Sequence, residues 1–106
     1  MQLNKAILRI FEVEVKDGYA DVLQEKFAVT SVAVVDGKPG NLGYLFGRMV
    51  PTADNNLVFI SVWKDLEAVK SRFGADWQEA FLPEGYEDMI ISCSIKHIEC
   101  DGALNS

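Results

Sequence analysis

In Phe11-Glu-Val-Glu-Val15 apolar and polar residues alternate, with Phe11, Val13 and Val15 on one face and Glu12 and Glu14 on the other. That two-residue period predicts a strand over about 6–16. Asp17-Gly18 breaks it, and the period then changes: Tyr19, Leu23 and Phe27, with Val22 and Lys26 alongside, recur at helical spacing until Asp36-Gly37-Lys38-Pro39-Gly40 stops the element. The β-branched stretch from Val29 to Val35 blurs the helix end. Alternation returns over Leu42 to Met49 and again over Leu57 to Lys64, and the polar stretch Thr52 to Asn56 between them predicts a hairpin. Asp65 is placed to cap a helix from Leu66 to about Arg72 that Gly74 ends, and a short helical piece is expected around Asp76 to Leu82, before Pro83. A last strand runs from about Met89 to Cys100, ahead of a polar tail.

The order strand, helix, strand, strand, helix, strand is the split βαβ arrangement of ferredoxin-like α+β folds: a four-stranded antiparallel sheet with helices on one face. On the third strand Val58, Ile60 and Val62 make a β-branched face suited to helix packing, which sends Leu57, Phe59, Ser61 and Trp63 the other way. On the second, Gly43 and Gly47 share a face that would let a helix approach closely, which sends Tyr44, Phe46 and Arg48 opposite. The helix-free face is therefore expected to be rich in aromatics and to cover a ligand pocket, a partner sheet or both.

A chain of 106 residues fits one domain spanning 1–106, with its core over about 6–100 and a tail from 101. A sheet buried on both faces in so short a chain calls for a second copy. The net charge of −6, with ten scattered basic residues, argues against nucleic acid and anionic membrane surfaces as partners. No apolar run is long enough to span a bilayer, and Met1-Gln-Leu-Asn-Lys5 lacks the apolar segment of a signal peptide, so a cytoplasmic location is expected. Cys93 and Cys100 fall on one strand at an odd separation, on opposite faces and roughly 23 Å apart, too far to pair. Neither they nor any carboxylate and histidine cluster has metal-ligand spacing, so no metal is expected.

The junction Val62-Trp-Lys-Asp65, the segment Asp76-Trp-Gln-Glu-Ala80 and the strand Ser94-Ile-Lys-His-Ile-Glu99, in this element order, resemble the antibiotic biosynthesis monooxygenase family. The resemblance runs from Ala6 to Cys100. It implies a dimeric α+β barrel: two sheets face to face in a homodimer, each subunit enclosing an apolar pocket between sheet and helices. The family's members include cofactor-free oxygenases of polycyclic phenols and anthrones, haem degraders and signal-molecule processing enzymes. Haem degraders of this type resemble one another in an Asn on the first strand, a Trp inside the second helix and a haem-ligating His further along it. Here the first strand has no Asn, Arg72 and Phe73 stand near the Trp place and Leu82 near the His place.

Cofactor-free oxygenation of a small aromatic or quinone-type ligand needs an apolar cavity, a group that removes a proton and a cation or donor that steadies the resulting anion. The candidate walls are Trp63, Trp77, Tyr44, Phe59 and Phe11; the candidate base is His97, and Arg9 or Arg48 is the candidate cation. The oxygenase pattern has an Asn one helical step before the third-strand Trp, where this chain has Phe59. Each candidate also has a plainer reading. The tryptophans are large enough to anchor a core or a dimer interface, His97 can be a hydrogen-bonded structural residue, and Arg9, sharing a face with Ile7 and Phe11, must find an anion or an ion-pair partner. A ligand-binding module without catalysis, or a dimerisation module with a filled interior, fits the same pattern.

Overall fold

The computed structural model describes residues 5–51 and 55–101. The expected turn at Thr52 to Asp54, the N-terminal Met1 to Asn4 and the tail beyond Asp101 lie outside the described residues. Four strands, β1 (Ile7–Val15), β2 (Asn41–Arg48), β3 (Asn56–Trp63) and β4 (Ile90–Glu99), form one antiparallel sheet in the order β2-β3-β1-β4. Between β1 and β2 the chain winds through α1 (Ala20–Lys26), a π-helical turn (Phe27–Ser31) and α2 (Val32–Val35). Between β3 and β4 lies α3 (Leu66–Phe73), then 3-10 turns at Gly74–Asp76 and Tyr86–Asp88. This is the ferredoxin-like α+β arrangement that the element order predicts.

The π turn has a sequence cause. Leu23, Phe27, Ser31 and Val35 are all buried, at steps of four residues. A regular α-helix advances about 100° per residue, so each four-residue step drifts by about 40°. The wider winding at Phe27–Ser31 takes up that drift and keeps the row on the sheet. At the start of α3 the Asp65 carboxylate accepts the Ala68 N–H at 2.8 Å, and at its end Gly74 turns the chain at φ 75°, both as the sequence predicts.

Strand faces differ from expectation. The register pairs Phe11 with Phe59, Val13 with Leu57 and Arg9 with Ser61, and directly opposed residues share a face. Leu57, Phe59, Ser61 and Trp63 are therefore buried beneath the helices, and Val58, Ile60 and Val62 face the helix-free side. Phe46 follows Phe59, meeting the Phe27 ring edge-on at 6.2 Å, and Arg48 reaches Asp21 and Gln24 of α1. The aromatics accordingly fill the layer between sheet and helices. The helix-free face carries Leu8, Ile10, Leu45, Val58, Ile60, Val62 and Ile98 instead. A β-branched row can seat a helix, yet a flat face of small branched residues suits sheet stacking equally well, and the size needed to bridge to the helices comes from Phe59 and Trp63.

Gly43 and Gly47 do not admit a helix either: a Cβ on either would meet nothing within 4 Å. The close approach is at Gly40, where φ is +82° and a Cβ would stand 2.5 Å from the Ala68 Cβ of α3. The expected helical piece over Asp76 to Leu82 is an irregular segment. A helix would turn the Glu79 carbonyl toward the N–H four residues on, but that residue is Pro83, which has none, and the carbonyls of Trp77 and Glu79 go to Arg9 instead. Among the described residues no helix is long and apolar enough to cross a membrane.

Candidate functional site

A cavity of about 40 Å³ lies between the sheet and the helical layer. Its floor is Arg9 and Phe11 of β1, Phe59 and Ser61 of β3 and Ile95 of β4; Ser31, Val34 and Val35 form one wall. Phe73 at the end of α3, with Phe81, Pro83 and Tyr86 beyond it, forms the other. The volume admits a water molecule or a diatomic gas and falls well short of the several hundred Å³ that organic ligands usually occupy. Phe81, 51% exposed, is the most exposed of the lining residues, and at this volume an aromatic ligand has to displace part of the lining.

Arg9 dominates the electrostatics. It is 4% exposed, and the ion pairs between described residues, Lys5–Glu99, Arg48–Asp21, Lys70–Glu67 and Lys96–Glu12, do not include it. An ion-pair partner for Arg9 within its own sheet is thus not found among the described residues. Its Nη1 donates to the Trp77 carbonyl and, at 3.1 Å, to His97 Nε2; its Nη2 donates to the Glu79 carbonyl at 2.9 Å. The guanidinium lies 3.8 Å from the Phe73 ring centroid, in stacking range. Neutral acceptors and an aromatic face thus hold the cation and leave its charge unneutralised. Burial lowers the Arg9 pKa to about 10, still far enough above neutrality to keep it charged.

His97 lies opposite Arg9 on β4, with its ring 5.0 Å from Trp77, edge to face. Since Arg9 has only protons to offer, His97 Nε2 is the acceptor and the ring proton sits on Nδ1. Burial first, and the Arg9 charge second, push the His97 pKa below its ordinary 6.5. A base whose pKa is lowered by folding binds its proton more readily in the unfolded chain. Its neutral form supports the fold fully above about pH 6.5, and that support is lost as pH falls toward the folded-state pKa. We expect His97→Gln, whose amide oxygen can replace Nε2 as acceptor, to lose stability less steeply than the natural protein between pH 6.5 and 5; equal slopes in urea titrations would refute this.

At the opposite wall, Tyr86 O–H donates to the Lys26 carbonyl at 3.2 Å, and Ser31 O–H donates in turn to Tyr86 Oη at 2.7 Å. Desolvation raises the Tyr86 pKa, so the phenol keeps its proton. On the floor, Trp63 Nε1–H donates to Ser61 Oγ at 2.9 Å.

Of the residues selected from sequence, Arg9, Phe11 and Phe59 line the cavity. Trp63 is fully buried beside it, edge-on to Phe73 at 5.8 Å. Trp77 and His97 stand behind Arg9 and outside the lining, and Tyr44 stacks on Phe59 toward the β2 edge, 38% exposed. Sequence reasoning allows Tyr86 a hydroxyl role in a pocket, weighed against a place at the sheet edge, but selects neither Ser31 nor Ser61. The serines did leave a signal: a lone hydroxyl in each of two buried apolar rows, Leu23-Phe27-Ser31-Val35 and Leu57-Phe59-Ser61-Trp63.

The sequence pattern of antibiotic biosynthesis monooxygenases matches residues 6–83, which hold β1 to β3, α1 to α3 and most of the cavity lining. The chain belongs to the antibiotic biosynthesis monooxygenase family. Among solved structures of similar fold is a variant of SnoaB, a cofactor-independent oxygenase from Streptomyces nogalater, with a TM-score of 0.74 and 20% identity over 96% of this chain and 99% of that one. MhuD, a haem degrader from Mycobacterium tuberculosis solved with two haems in its active site, superposes with a TM-score of 0.67 and 21% identity over 89% and 94% of the two chains. A putative antibiotic biosynthesis monooxygenase from Deinococcus radiodurans gives 0.71 and 15% over 94% and 97%. No curated protein matches the sequence at significance. At these identities the structural likeness is one of fold, and this antibiotic biosynthesis monooxygenase domain shares it with oxygenases and haem degraders alike.

Proposed function

We propose that the protein is a cofactor-independent monooxygenase of a small aromatic or quinone-type substrate, which it takes up as an oxyanion in the cavity beside Arg9. The observation that carries this reading is a buried guanidinium on the floor of an apolar cavity, held by carbonyls, an imidazole and a ring face, with no carboxylate against it among the described residues. An isolated buried charge is costly, and an anionic ligand removes the cost. In that setting a phenolate or enolate is stabilised while its electron-rich ring reduces dioxygen. For a ring CH2 group the balance closes without a further reductant. The carbon loses two hydrogens and gains one oxygen atom of O2 as a carbonyl, and the second oxygen atom leaves with those hydrogens as water.

His97 is placed to orient Arg9 rather than to take the substrate proton, because its free lone pair points at the guanidinium. The proton is lost to solvent before the anion is bound. Trp77, whose carbonyl accepts from Arg9 and whose ring meets His97, shares in that orientation. The rate should therefore rise with pH as the substrate ionises, up to the pH where Arg9 itself begins to lose its proton, about 10. Oxygen uptake with an anthrone, above the uncatalysed rate and with conversion of its CH2 group to a carbonyl, is the test. No excess uptake, together with a Soret shift on haem titration and loss of the band once ascorbate is added as reductant, would replace this reading by haem degradation.

The proposal includes a homodimer acting in the cytoplasm as one domain over 1–106. Leu45 and Ile98, 56% and 49% exposed, border the half-buried Leu8, Ile10, Val58, Ile60 and Val62 on a sheet face that no helix of the described residues covers. A second copy of that face is the cover of matching chemistry. Sedimentation should give a dimer, and Ile60→Lys, at the centre of the face, should give a folded monomer; a natural protein that sediments as a monomer would contradict the dimer.

A further inference from the structure

We propose that Ser61 is a second anion-binding donor, which with Arg9 forms a two-point cradle for one oxyanion and restricts the substrate to aromatics that carry negative charge on oxygen, as phenolate or enolate. This rests on the oxyanion reading above and deepens it.

The first support is hydrogen-bond accounting. A serine hydroxyl has one proton and two lone pairs. At Ser61 the Trp63 indole N–H occupies a lone pair at 2.9 Å, and indole N–H is a donor only, so the Ser61 proton cannot point back along that bond. Among the described residues the proton meets no acceptor, although the residue is 2% exposed. A buried donor left unmade is expensive. Ser61 lines the cavity, so the cavity is where its proton can find a partner.

Position supplies the second half. Arg9 and Ser61 are directly opposed across β1 and β3 and share the helix-side face. Cβ atoms of such a pair stand about 5 Å apart, so a neutral donor and a cationic one converge on the same floor. On Arg9 the Nε–H and the second Nη2–H take no partner among the described residues, while its other contacts fix the fork. Phe11, Phe59 and Ile95 surround the pair with apolar surface. Two fixed donors in a low-dielectric hollow select an oxygen that carries charge over one that does not. Trp63 is a positioning residue in this scheme: its N–H turns Ser61 from an acceptor into a donor.

The test uses 4-nitrophenol, a single-ring phenol whose phenolate absorbs visible light, and its methyl ether as an uncharged counterpart. In the natural protein the bound phenol should ionise at lower pH than the free one, and the ether should bind more weakly. Ser61→Val and Ser61→Thr have nearly the same shape and differ in the hydroxyl. We expect Val to weaken phenolate binding about tenfold, the worth of one hydrogen bond to a charged group, and Thr to restore it, with ether binding alike in the two. Equal phenolate affinity in the Val and Thr variants would show that Ser61 serves Trp63 alone, leaving the oxyanion reading intact. If the natural protein leaves the phenol's ionisation unshifted, or Arg9→Met does not abolish the shift, the oxyanion reading fails and the cradle with it.

Discussion

Replacing Trp63 with alanine lowers stability by about 3–5 kcal/mol, a large part of what a domain of this size possesses. Trp63 is fully buried where β3 hands over to α3, edge-on to Phe73. Its removal leaves a void that the sheet behind it and the helix before it cannot both close. It also frees Ser61 of its indole partner. Urea denaturation with an unchanged m-value would register the loss as a shift in midpoint. A loss below about 1 kcal/mol would mean that Trp63 lines an open space rather than filling a core.

Replacing Arg9 with methionine has the largest effect on activity. We expect oxygen uptake with an ionised probe to fall at least about 100-fold, the usual consequence of losing a key donor to a developing oxyanion. Stability should change far less. Methionine matches the stem and removes an unpaired buried charge. Against that, the Trp77 and Glu79 carbonyls lose a donor but sit on a half-buried to exposed segment where water can replace it. Arg9→Lys should recover little, because an ammonium cannot span two carbonyls and an imidazole while lying on a ring. Retained uptake in the Met variant at an unchanged melting temperature would remove Arg9 from the reaction.

Local rules make much of the fold legible. The Glu12 and Glu14 alternation orients β1, Asp65 and Gly74 bound α3, and the parity of β1 alone puts Arg9 on the inner face, where it lies. The faces of β2 and β3 are not legible, because their orientation depends on which residue lies opposite Phe11, and that register is written in neither strand alone. Parity also groups His97 with Ile95 and Cys93 on one face of β4, yet its acceptor role emerges only once Arg9 lies across from it. The segment after α3 departs from its expected helix for a related reason: its carbonyls answer to a residue 68 and 70 positions away.

The π turn at Phe27–Ser31 gives the chain one residue more than an α-helix of that reach requires. Wound as regular α-helix, the five residue steps from Lys26 to Ser31 would set the two about 140° apart around the axis. The wider turn instead brings the Ser31 hydroxyl and the Lys26 carbonyl to one hydroxyl of Tyr86. The surplus residue is what turns a packing helix into a wall with chemistry on it.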